Sequence, residues 1–489
     1  MSSPNSEPYD DKNYPTSHPP LTRAPTPPPA EPRFEYPGPP VPLETVYPPS
    51  LELIPQLPSL PCGQRKPIWA EDPRIPYTLT THIVPAAHWR EDPDVELPTI
   101  PDSISKDKRL QLAIEADEQL RRMRREKDQD KGKKGQKKVL WLVLNRYIRT
   151  VETGRDGLTL FCAHANGFNK EIWEPTLVSL LSSRTVQSSV QEIWAWDAVN
   201  HGDSALLNAS RLNALFHWRN AARDLLTFFT HYLPTTVAGS LPTHLPRVSE
   251  EEIVKRLKYG FYDPAKSRKT RTIVGIGHSF GGCASTLAAI SLPPSLSSNF
   301  FSLLILIDPI ILSPNNDNHL TSLSNGHPFA VGALTRRSEW PSRSTAKEAF
   351  LKSPFFQRWD PRVLELYIES ALFVSSEKQV KLKMPPLLEA VNFSETPTGS
   401  LEAWVRLWRG ELSKSVELRW VVPGVGQTVL GPGGPSETRT RVWLRPANAK
   451  NVRIAGAGHL IPHERPNELG EVIGKWIMEY LESSGKTKL

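Results

Sequence analysis

Residues 272–290 read TIVGIGHSFGGCASTLAAI. Three β-branched residues, Thr272, Ile273 and Val274, open the stretch, and small helix-tolerant residues close it. Between them stands Gly277-His278-Ser279-Phe280-Gly281, a G-x-S-x-G pattern. The reading is a short buried strand, a very tight turn and a helix. Such a turn strains the serine backbone, and side chains at the flanking glycines would clash. It lifts the hydroxyl off a sheet edge above a helix N-terminus, where backbone N–H groups can meet a developing negative charge. The pattern alone is weak; the strand before it and the small-residue helix after it give it meaning.

Working outward, LTLFCA (158–163) is a strand that runs into His164-Ala165-Asn166-Gly167-Phe168. That loop brings backbone amides to the sheet's carboxyl edge, where open α/β sheets hold ligands. EIWAWD ends at Asp197 and leads into Asp203; both precede the serine and are expected to order loops. Pro76–Arg90 and VLWLVLNRYI are further strands, and Leu212–Leu233 is an amphipathic helix. Pro234–Arg271 reads as a charged loop. After the serine unit, SLLILI (302–307) is a buried strand ending at Asp308-Pro309, VELRWVV returns to the sheet, and NVRIAG leads to Ala457-Gly458-His459. Pro466–Leu481 closes the chain as a helix. Alternating strands and helices predict an α/β fold: a mostly parallel sheet with helices on both faces.

Serine needs a base within hydrogen-bond reach and an orienting acid behind it. His459, in a Gly-His loop before the last helix, suits the base, and the order Ser…Asp…His suits the architecture. The loop after VELRWVV has no aspartate, so the acid is Asp308 or, as the alternative, Glu437. Oxyanion donors are expected from the amides of Phe280 and Phe168, with Asn166 and Gly167 as alternatives to the latter and His164 beside them. Between Ile311 and Gly410 the strand pattern stops; Arg336–Lys352, Pro361–Val374 and Ser400–Trp408 have helical spacing. A helical excursion there reads as a cap over the catalytic edge.

Composition bounds the rest. About half of the 48 prolines precede residue 101. Residues 1–65 read as a disordered proline-rich tail. The net charge of +7 is misleading: Arg121–Lys138 holds ten basic and three acidic residues, an excess of seven that accounts for all of it. No aromatics interleave with that run, which argues against nucleic-acid binding. Cys62, Cys162 and Cys283 have neither metal nor disulfide spacing, so no cofactor or metal is expected. No signal peptide or membrane-spanning run is read. The expected organisation is a tail (1–65), a core (74–310) with a basic insertion (121–138), a helical cap (311–410), the rest of the core (411–485) and a terminal tail (486–489).

The segments CAHANGFNKEIWEP, IWAWDAVNHGDSALLN, VGIGHSFGG, TRRSEWPSR, FFQRWDPRVLELYI and GAGHLIPHERPNEL resemble the α/β-hydrolase superfamily. More narrowly, they are similar to fungal peroxisomal serine hydrolases grouped with host-selective-toxin biosynthesis proteins and a peroxisomal lipase. The resemblance implies Ser279 as nucleophile, His459 as base and residues 164–168 at the oxyanion site. It also directs attention to Thr487-Lys488-Leu489, which differs from the S-K-L signal of the peroxisomal import receptor by one methyl. The expectation is a cofactor-independent serine hydrolase of an ester or thioester of an apolar acyl compound, in the peroxisome or the cytoplasm. The alternative is a non-catalytic binding or scaffold protein, kept open by the absent acid after VELRWVV.

Overall fold

A computed structural model describes residues 46–484 apart from 55, 89, 91–97, 99, 102–103, 130–137, 152–156, 238, 314–326, 425–437 and 439–440. Glu437, the tail before residue 46, most of the cationic run after Gln129 and the terminal Thr487-Lys488-Leu489 lie outside the described residues. The centre is an eight-stranded sheet: β1 (Tyr77–Pro85), β2 (Trp141–Arg149), β3 (Leu158–Ala163), β4 (Val190–Asp197), β5 (Thr272–His278), β6 (Phe301–Ile307), β7 (Glu417–Pro423) and β8 (Ala449–Ile454). Their spatial order is β1-β2-β4-β3-β5-β6-β7-β8. β1 and β2 run antiparallel to their neighbours, and β4 through β8 form a parallel array.

The alternation of side chains along a strand divides the interior into two cores. On β6, Leu304 and Leu306 join one core with Leu225, Cys283 and Leu287, from helices Trp218–Thr227 and Phe280–Ser291. Leu303, Ile305 and Ile307 join the other with Leu177 and Ile473, from helices Glu174–Ser182 and Pro466–Ser483. Every residue of β6 is buried, as the unbroken apolar run requires. The parallel strands end together at Ala163, Asp197, His278 and Ile307, which places the loops that follow on one edge.

Four expectations change. Residues 46–65 do not stand apart from the core. Gln64 exchanges hydrogen bonds of 3.1 and 3.2 Å with the backbone of Thr81, and Arg65 pairs with the buried Glu174. This extended segment and residues 243–245, bonded to Ile83, shield the outer strand β1 from edge pairing. The amphipathic helix read over Leu212–Leu233 begins at Trp218 and finishes in a π-turn at Phe228–Tyr232. The segment 234–271 contains a helix, Glu250–Tyr259, started by the Ser249 hydroxyl accepting the Glu252 N–H at 3.2 Å. The cap is not wholly helical: Glu339–Trp340 and Leu372–Val374, inside regions read as helix, form a small antiparallel sheet with Val380–Leu382, which lies between two such regions.

The cap also draws on a helix from far earlier in the chain. Lys106–Gln129 packs against cap helices Pro328–Thr335 and Pro386–Ser394. Asp117 accepts the His327 N–H at 2.7 Å, and Arg124 pairs with the buried Glu395.

Candidate active site

Ser279 sits between β5 and helix Phe280–Ser291 with φ +55° and ψ −118°. Non-glycine residues rarely adopt such a conformation, which must be held by its surroundings. Two glycines make room: a Cβ on Gly281 would lie 2.4 Å from the Ala163 carbonyl oxygen, and one on Gly277 2.6 Å from the Gly282 Cα. The turn is also bonded to its neighbour. The Ser279 N–H donates to the Ile307 carbonyl at 3.0 Å, and the Ile310 N–H donates to the Ser279 carbonyl at 3.1 Å. The serine turn and the Asp308 turn therefore hold each other.

The structure brings Ser279, His459 and Asp308 together. Ser279 Oγ donates to His459 Nε2 at 2.9 Å, and His459 Nδ1 donates to Asp308 Oδ2 at 2.6 Å. Asp308 follows β6 at φ +35°, fully buried, with its N–H on the Val421 carbonyl at 2.8 Å. Its other oxygen, Oδ1, accepts from Arg441 Nη2 at 2.5 Å, and Arg441 Nη1 donates to the Pro309 carbonyl at 3.1 Å. Burial alone would push the carboxyl up; Arg441 and His459 outweigh it and hold Asp308 below the usual range, ionised. The histidine beside the serine in sequence, His278, donates from Nε2 to the His459 carbonyl at 2.9 Å and braces that loop. Burial and the neighbouring His459 depress it to about 3, so it stays neutral.

The 164–168 loop lies beside the serine turn, and its side chains serve structure. His164 is fully buried; its Nε2 accepts the Ala198 N–H at 3.2 Å, which leaves Nδ1–H to donate to the Ala165 carbonyl at 2.8 Å. Its imidazole is spent on backbone and is not a substrate-binding group. The Asn166 side chain ties the loop to the cap, donating to the Glu389 carbonyl at 3.1 Å and accepting from Asn392 at 2.8 Å. Two of the three candidate loop amides are engaged: Gly167 N–H meets His201 Nε2 at 3.2 Å, and Phe168 N–H meets the Ala165 carbonyl at 3.3 Å. The Asn166 amide has no acceptor among the described residues. The Phe280 amide, first in its helix, has no intrahelical carbonyl to meet.

Asp197 and Asp203 order loops, as read. Asp197 accepts the backbone N–H groups of Lys170 and Asp203 at 2.8 and 2.9 Å, and Lys170 Nζ reaches both carboxylates. Arg441 is the residue the sequence reading missed. It lies in Thr438-Arg439-Thr440-Arg441-Val442-Trp443-Leu444-Arg445, between two other arginines, and nothing in that stretch marks which of them meets the acid. Among the described residues no group of His, Cys, Asp and Glu is arranged to hold a metal, and no helix is long and apolar enough to cross a membrane.

Comparisons with known proteins identify the family. The model of the Alpha/beta hydrolase family matches residues 160–472, more than half of the chain and a span that includes Ser279, Asp308 and His459. The chain belongs to the alpha/beta hydrolase family. This hydrolase is 24% identical over 480 residues to "Type I acyl-CoA thioesterase mpaH'" of Penicillium brevicompactum, covering 84% of this chain and 90% of that protein. It is 29% identical over 232 residues to "Abhydrolase domain-containing protein AFT2-1" of Alternaria alternata, covering 42% of this chain and 82% of the relative. Among solved structures, the peroxisomal alpha-beta-hydrolase Lpx1 from Saccharomyces cerevisiae aligns with a TM-score of 0.55 at 19% identity, over 83% of this chain and 90% of that one. That likeness concerns the hydrolase fold alone.

Proposed function

We propose that the protein is a serine hydrolase that cleaves an ester or thioester of an apolar acyl compound through an acyl-Ser279 intermediate. The observation that carries this reading is the unbroken relay from Ser279 Oγ to His459 to Asp308, at 2.9 and 2.6 Å. His459 Nε2 takes the Ser279 proton as Oγ attacks the acyl carbon, then delivers it to the departing alcohol or thiol. Asp308, kept ionised by Arg441, holds the Nδ1–H tautomer and stabilises the imidazolium that forms. The oxyanion meets the Phe280 amide and, as the remaining unengaged donor of the loop, the Asn166 amide. A water activated by His459 then releases the acid.

The acyl-CoA thioesterase named among the relatives supports thioesters as the first substrates to try. An apolar acyl group suits the aromatic surroundings of Phe168, which lies 5.6 Å from Trp359 and 6.1 Å from Tyr367, ring centre to ring centre. A peroxisomal setting in lipid or secondary metabolism, with import through Thr487-Lys488-Leu489, is part of the same proposal. The scaffold alternative drew on the missing acid after β7, and no observation now favours it. The test is labelling by a fluorophosphonate probe together with hydrolysis of acyl esters and acyl-CoA thioesters. Wild type reacts and Ser279→Ala does not. A folded wild type inert to the probe and to a small activated ester would end the hydrolase reading.

A further inference from the structure

Arg441 joins no surface network and reaches no solvent; its guanidinium and the Asp308 carboxylate are both fully buried. Removing two charges from water is costly, and a buried pair offsets that cost only where further hydrogen bonds hold its geometry. Here Nη2 meets Oδ1 of Asp308 and Nη1 meets the carbonyl of Pro309, the next residue, while the buried Nε has no partner among the described residues. Arg441 therefore grips both the side chain and the backbone of the turn that carries the acid. With Oδ1 engaged, only Oδ2 is left to face His459.

We propose that Arg441 is the positioning residue of the relay, fixing the orientation of Asp308 and keeping it ionised so that it can serve His459. This rests on the hydrolase reading above. The groups that face Asp308 are His459 from the loop after β8, His278 from the end of β5 and Arg441. Those nearest His459 are Ser279, Asp308, His278 at 5.2 Å between ring centres, and His463. His278 and His463 are buried imidazoles held neutral, so among the described residues Arg441 is the permanent cation bonded to the relay. Without it, a buried carboxylate beside a histidine favours the state that carries an extra proton, and that state cannot accept the serine's proton.

The experiment measures fluorophosphonate labelling rates from about pH 5 to 9, where a general base reveals its ionisation. The proteins are wild type, Ser279→Ala, Arg441→Gln, Arg441→Lys, Asp308→Asn and the Asp308→Asn/Arg441→Gln double variant. Arg441→Gln is expected to label about tenfold more slowly near neutrality and to move the acid limb of its profile up by about one pH unit. Arg441→Lys keeps the cation and leaves the limb close to the wild-type position, although its rate falls with the lost two-point grip. In the Asp308→Asn background, loss of Arg441 changes neither rate nor limb further, because the residue acts through Asp308. A folded Arg441→Gln protein with wild-type rate and limb overturns the proposal. So does a double variant slower than Asp308→Asn by the full single-variant factor. Should Arg441→Gln fail to fold, the comparison of Asp308→Asn with the double variant decides, since a neutral asparagine leaves no buried carboxylate unpaired. Failure of the parent reading looks different: wild type would not label, or Ser279→Ala would label equally well.

Discussion

Asp308 is bound by three parts of the chain at once. Its N–H is on β7, its two oxygens are divided between His459 and Arg441, and its backbone sits at φ +35°. Replacement by asparagine keeps the shape and removes the charge, so labelling is expected to slow by about 10²–10⁴-fold, and the melting temperature to fall because the buried Arg441 loses its counter-charge. Probe kinetics beside a circular-dichroism melt measure both. Gly281→Ala tests the serine turn. Its Cβ would press on the carbonyl oxygens of Ala163 and His164, at 2.4 and 2.5 Å, and backbone cannot rotate away as a flexible side chain can. We expect about 1–3 kcal/mol of destabilisation and loss of labelling at temperatures where the variant is still folded. A variant that labels at the wild-type rate would show that the turn tolerates what its geometry forbids. At this scale the serine, the histidine and the aspartate were legible because each follows a recognisable strand. Arg441 was not, since nothing in a sequence marks which buried cation will find which carboxylate. Nor does the sequence show that both ring nitrogens of His164 are spent on backbone, since a histidine at a sheet edge carries the same letter whether its nitrogens face solvent or backbone.

Strand periodicity located all eight strands of the sheet to within a few residues, because β3, β5 and β6 are largely apolar runs bounded by turns and β7 alternates Glu417-Leu418-Arg419-Trp420 before two valines. The cap was harder. Its short strands, such as Leu372–Val374, are too brief for a period to register, and their partners lie elsewhere in the excursion. The helix Lys106–Gln129 fades into a cationic run and gives no sign in sequence that it covers the cap. Its attachment makes a prediction. Arg124→Met leaves Glu395 buried without its ion pair, an unpaired charge that costs about 3–5 kcal/mol. The cap should then open more often, and limited proteolysis should cut first within residues 328–408. Cleavage there at the wild-type rate would mean that this helix rides on the cap without fastening it.

At the scale of the molecule, burial holds seven imidazoles neutral among the described residues. His82, His164, His231 and His327 are depressed to about 4 and His278 to about 3, while His201 and His463 fall well below the ordinary value. The sign follows from linkage. An unfolded histidine takes up a proton near pH 6.5, and these do so only at lower pH when folded. Their contribution is complete above about pH 6.5 and is lost as pH falls from there toward about 4. Asp308, also depressed, adds a loss of the same sign at lower pH. The melting temperature should therefore fall steeply between about pH 6.5 and 4.5, and a flat profile across that range would show the imidazoles to be solvated. The order of the relay along the chain has a further result. Ser279 and Asp308 lie on adjacent strands before the cap, whereas Arg441 and His459 come after it. A ribosome making this protein thus adds the serine and the aspartate of the proposed relay long before its histidine. On the proposed reading the nascent polypeptide is chemically silent until the stretch that carries His459 emerges, and the onset of labelling during synthesis would time the closure of the sheet by β8.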